Sequence, residues 1–121
     1  MDKILRNGAG WRLGWDPNAS EFKGLVGGEG WAVELTEPEL DDLCRLCGQL
    51  ADTVSQIAAE IMDSERLTCE AESDRLWVQL EGVPHAYSLE FILSNGRRCE
   101  GSWPPEAVPE LLAAMKILKM F

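Results

Sequence analysis

One short junction limits the folds open to this chain more than any other segment. In Leu35-Thr36-Glu37-Pro38-Glu39-Leu40, Thr36 stands where a helix N-cap belongs, and Glu39, three residues on, completes a capping box. Leu35 and Leu40 occupy the two positions of a hydrophobic staple. Before the junction, apolar residues alternate as in a strand: Trp31, Val33, Leu35. After it they recur in steps of three and four, through Leu40, Leu43, Cys47, Leu50, Val54, Ile57 and Ile61. A similar switch returns at Trp103-Pro104-Pro105-Glu106, which leads into Val108, Leu111, Met115 and Leu118. The chain therefore reads as strands followed by a helix, twice.

The same periodicities predict about seven strands, at residues 11–15, 22–26, 31–35, 66–72, 76–81, 87–93 and 98–103. Gly27-Gly28-Glu29-Gly30 is a tight strand-to-strand connection, and Asn95-Gly96 is a hairpin signal. Helices are predicted over 37–62 and 106–120, with Pro109 tolerated in the first turn of the second. Short connections call for antiparallel pairing, and each helix needs an apolar sheet face against its stripe. The expected fold class is α+β: a curved antiparallel sheet with two helices, in two strand-strand-strand(-strand)-helix repeats. The segments 27–40 and 94–107 correspond in this scheme, as in a degenerate duplication.

At 121 residues and 45% hydrophobic, the chain suits a single domain spanning 1–121. Its first residues hold neither a long apolar run nor a small-residue cleavage site, and no segment approaches the roughly 18 apolar residues of a membrane span. Four cysteines without a secretory signal read as reduced thiols, so a cytoplasmic protein with no membrane partner is expected. The net charge of -10 is concentrated between Glu34 and Asp74, where twelve carboxylates face two arginines. Glu37, Glu39, Asp41 and Asp42 crowd the predicted N-terminus of the first helix, where the macrodipole favours negative charge. That cluster reads as a solvated face or as a docking face for a basic partner. So acidic a chain repels phosphate backbones.

No catalytic signature emerges. The one histidine, His85, sits beside a predicted turn with no partner nearby in sequence, and no Ser or Cys lies in a nucleophile motif. The glycine-rich run 24–30 joins strand to strand rather than strand to helix, so it cannot cradle a phosphate. Glu70 and Glu72 share a strand face and read as solvated. Cys44-Arg45-Leu46-Cys47 has C-x-x-C spacing, but it falls mid-helix with Cys47 on the apolar stripe. Cys69 and Cys99 have inward parity, so all four behave as small hydrophobes. Neither a metal nor a cofactor is expected, and the protein reads as not an enzyme.

Gly10-Trp11-Arg12-Leu13-Gly14-Trp15-Asp16-Pro17 resembles the N-terminal signature of small cyanobacterial proteins grouped as domain of unknown function 1818. Further similar stretches are Trp31-Ala32-Val33-Glu34-Leu35-Thr36, Cys69-Glu70-Ala71-Glu72-Ser73 and Glu100-Gly101-Ser102-Trp103-Pro104-Pro105. The resemblance implies a cyanobacterial cytosolic protein and carries no activity with it. In fold alone, two sheet repeats each closed by a helix resemble the Whirly proteins and the C-terminal domain of positive cofactor four, which bind single-stranded DNA. Fold analogy does not by itself transfer function.

The tryptophans point to a surface. Trp11, Trp15, Trp31 and Trp103 share parity with core residues. Trp77 does not, because Leu76, Val78 and Leu80 claim the inner face, and Ile92 is likewise out of phase with Leu89, Phe91 and Leu93. By parity Arg12, Lys23, Leu25 and Arg98 also point away from the helices. An outer sheet face carrying Trp77, Ile92, Arg12, Lys23, Leu25 and Arg98 marks an interface. The expectation is a binding or adaptor protein engaging a protein partner or a second copy, with single-stranded nucleic acid as the alternative ligand.

Overall fold

The structure is a computed structural model describing residues 2–94 and 96–119. The expected turn residue Asn95 and the expected helix end at Met120 lie outside the described residues. The first half of the chain forms β1 (Ile4–Gly8), β2 (Trp11–Trp15), β3 (Gly24–Gly28) and β4 (Trp31–Leu35), then α1 (Glu37–Ile57) and a 3-10 turn at Ala58–Glu60. The second forms β5 (Leu67–Glu72), β6 (Leu76–Val83), β7 (Ala86–Leu93) and β8 (Glu100–Trp103), then α2 (Val108–Ile117). Each half contributes one four-stranded antiparallel sheet with its strands in sequence order. The class is α+β as expected, with two sheets rather than one and, among the described residues, eight strands rather than seven.

The unpredicted strand is β1. Its inward positions include Arg6 while Leu5 points outward at 56% exposure, so its sequence lacks the apolar alternation that marks the other strands. A two-residue turn with Gly10 at φ 82° links it to β2, and β3 turns into β4 in the same way, with Gly30 at φ 82°. The expected glycine connection is thus shorter than its sequence suggested: Gly27 and Gly28 belong to β3, and only Glu29 and Gly30 form the turn.

At the start of α1 both capping-box bonds are present. Glu39 N donates to Thr36 Oγ1 at 3.3 Å, and Thr36 N donates to Glu39 Oε1 at 2.8 Å. Leu40, Leu43, Leu46, Cys47, Leu50 and Val54 are buried along one side of the helix. The helix stops five residues before the expected 62, where support from packing fades: Ile57 and Ile61 are half-buried and Met62 is 71% exposed. Both helices and both sheets share one core, which α2 enters through Val108, Leu111, Ala114 and Met115.

The sheets join through aromatic rings. Trp103 stacks on Phe91 with centroids 5.5 Å apart, and Trp31 tilts against both. Trp103 Nε1 donates to the Gly27 carbonyl at 2.8 Å, tying β8 to β3. The Trp31 ring lies so close over Gly101 that a Cβ there would overlap it. Trp11, Trp15 and Trp103 are buried, whereas Trp31 is half-buried beside this joint.

The acids at the start of α1 are neutralised internally rather than left open to a partner. Glu37 pairs with Lys119 and Lys23, Asp41 with Lys119, and Glu39 with Arg97. Arg97 also donates to the Glu34 carbonyl at 2.7 Å and lies 4.8 Å from the centre of the Phe22 ring. Asp42, only 8% exposed, accepts from Ser73 Oγ at 2.7 Å, Arg75 at 3.2 Å and Arg45 at 3.3 Å. Burial alone would raise the Asp42 pKa, but these bonds and the Arg75 charge outweigh it, so the carboxyl ends below its ordinary 3.8. The folded state therefore binds this proton less tightly than the unfolded chain. The stabilisation is complete above the unfolded value and is lost as pH falls through the folded one. Urea midpoints measured from pH 6 downward are expected to show a steep acid limb that is shallower in Asp42→Asn.

Candidate binding face

The second sheet sorts its residues by strand parity. Leu76, Val78 and Leu80 of β6 and Leu89, Phe91 and Leu93 of β7 are buried toward the helices. The alternate residues form rows on the opposite face, and the strand register gives their order. One row runs Glu72, Trp77, Ile92, Glu100 across β5 to β8. The next runs Glu70, Gln79, Glu90, Ser102, and a third holds Thr68, Glu81 and Ser88. Trp77 and Ile92 are thus directly cross-strand, both half-buried, with a carboxylate at either end of their row. Cross-strand neighbours stand about 5 Å apart, so the two side chains form one apolar patch.

The other residues expected on this face lie elsewhere. Arg12 and Leu25 are on the outer face of the first sheet, where they line an open groove of about 270 Å³ with Leu5, Phe22 and Glu34. Arg12 reaches across that sheet to donate to the Trp31 carbonyl at 3.0 Å. Lys23 precedes β3 and turns toward α1, 4.0 Å from Glu37, so parity misplaced it. Arg98 sits in the turn before β8 with φ at 51°, outside any strand pairing. The outer surface is two faces of different character, and the bases do not share one with Trp77. The glutamates that flank Trp77 and Ile92 are brought beside them by the strand register, which sequence parity alone does not state.

No other cluster suggests chemistry. His85 is an exposed turn residue 3.6 Å from the exposed Asp63. All four cysteines are free; burial pushes the Cys44 thiol up to about 12, and that of the fully buried Cys47 higher still. Among the described residues, no group of three or more His, Cys, Asp or Glu side chains is arranged to hold a metal ion. No helix among them is long and apolar enough to cross a membrane.

Comparison with solved structures gives a close relative in architecture. The crystal structure of a protein from Prochlorococcus sp. NATL2A, described as of unknown function and from the DUF155 family, matches with a TM-score of 0.89. The two are 31% identical, over 94% of this chain and 96% of that one. No curated protein matches the chain. The family described as a domain of unknown function, DUF1818, matches residues 6–118, and the chain belongs to it.

Proposed function

We propose that this is a non-enzymatic binding or adaptor protein that engages another protein through the outer face of its second sheet. The observation that carries this reading is the Trp77–Ile92 pair, an aromatic and an aliphatic side chain set cross-strand on the face turned away from the core. The core has no use for them there, and aromatic anchors in such patches supply a disproportionate share of binding energy. Single-strand nucleic-acid binding, the alternative drawn from the Whirly analogy, meets an unfavourable field. The outward positions of this sheet hold five glutamates and no lysine or arginine. Arg12, Lys23 and Arg98, which would have to neutralise phosphates, lie off this face.

Site-specific photocrosslinking in the native cell tests the reading. Gln79→benzoylphenylalanine, beside Trp77, is expected to give discrete protein adducts, either with another polypeptide or with a second copy. The same group at the exposed Glu106 is expected to give none of them. Adducts with nucleic acid, or identical products from both positions, would overturn the proposal.

A further inference from the structure

We infer that the partner of this face is a basic protein segment, rich in arginine or lysine; the inference rests on the binding role proposed above. Five carboxylates surround the apolar patch. Glu72 and Glu100 close the ends of its row, Glu70 and Glu90 stand diagonal to Trp77, and Glu81 lies further along β6. Neighbours in this grid are about 5–8 Å apart, within the roughly 8 Å over which physiological salt leaves charges coupled.

None of these five glutamates is in an ion pair among the described residues. The contrast with the start of α1 is direct. There Glu37, Glu39, Asp41 and Asp42 all have internal cations, supplied by Lys23, Lys119, Arg97, Arg45 and Arg75. The chain thus has bases to spend on carboxylates and spends none on this sheet face. No two of these carboxylates are directly opposite, but as diagonal and along-strand neighbours they repel one another, and a cationic partner removes that repulsion on docking.

The apolar centre suits the same occupant. A guanidinium or ammonium over the Trp77 ring gains cation–π attraction, and the methylene stem behind it packs on Ile92. The carboxylates then receive the remaining donors, with arginine favoured for its planar fork.

Fluorescence anisotropy with a labelled oligo-arginine peptide, and a neutral glycine–serine peptide as control, tests the inference on the full chain. The oligo-arginine peptide is expected to bind, with affinity falling as salt rises, and the neutral peptide is not. Trp77→Ala is expected to weaken binding about tenfold. The triple variant Glu72→Gln, Glu90→Gln, Glu100→Gln is expected to weaken it at least as much and to flatten the salt dependence. Neutralising three exposed acids elsewhere, with Asp52→Asn, Glu60→Gln and Glu65→Gln, is expected to leave affinity within about twofold. Equal losses from the two triple variants would show attraction to net charge alone and overturn the inference, as would no binding or an unaffected Trp77→Ala. Crosslinks from position 79 to a neutral or acidic segment would overturn the basic partner while leaving the binding role standing.

Discussion

Trp103→Ala is expected to destabilise the protein by about 3–5 kcal/mol, the usual range for deleting a large buried aromatic. Trp103 is 1% exposed and serves three purposes at once. It stacks on Phe91, packs against Trp31 and donates its indole N–H to the Gly27 carbonyl. Truncation leaves a cavity where the sheets meet, together with an acceptor on β3 that has lost this donor. Neighbours cannot collapse into the space easily, because the adjoining rings are themselves held from both sheets. The urea midpoint should fall sharply, and Trp103→Phe should recover much of the packing while still lacking the hydrogen bond. A loss below about 0.5 kcal/mol, the range of an ordinary surface substitution, would mean that the sheets are not joined through this ring.

Gly82→Ala is expected to have a comparable effect for a different reason. Gly82 lies in β6 at φ 150°, just before the Pro84-His85 turn into β7, in a region L residues rarely adopt. A Cβ there would sit 2.7 Å from the Tyr87 Cα and collide with the Ala86 carbonyl oxygen. Both obstacles are backbone, so no side-chain rotation relieves them. Conformational strain of about 1–3 kcal/mol adds to overpacking of about 1–3 kcal/mol. Hydrogen exchange should show the damage first in the β6–β7 hairpin amides. A melt indistinguishable from that of the parent protein would show that the hairpin tolerates a side chain at this position.

Much of the fold is legible in the sequence because the hydrophobic period changes from two to about 3.6 at Thr36 and again after Trp103. The strand β1 escapes because its side chains contradict its parity, with Arg6 inward and Leu5 outward. The inner and outer residues of β6 and β7 follow from alternation alone, so the placement of Trp77 and Ile92 is legible. Their glutamate neighbours are not, since Glu72 and Glu100 come from strands whose register no local pattern states. Lys23 and Arg98 show where parity stops applying: each lies just outside its strand, where the backbone no longer alternates. The internal neutralisation of α1 was likewise invisible, because Arg97 and Lys119 come from the second half of the chain.

That last feature bears on how the protein is made. The first strand-and-helix unit is synthesised complete long before Arg97, Trp103 and Lys119 leave the ribosome. Until they do, the contacts of Glu39 with Arg97, of the Gly27 carbonyl with the Trp103 indole, and of Glu37 and Asp41 with Lys119 cannot form. An emerging chain can form the β1-β2-β3-β4 sheet and start α1 at its capping box, but of the cations that pair with the acids of its first turns only Lys23 and Arg45 are yet present. The first half therefore acquires its last stabilising contacts only once the second half is present. A free fragment ending at residue 66 should be sensitive to protease along α1, while the full chain should not.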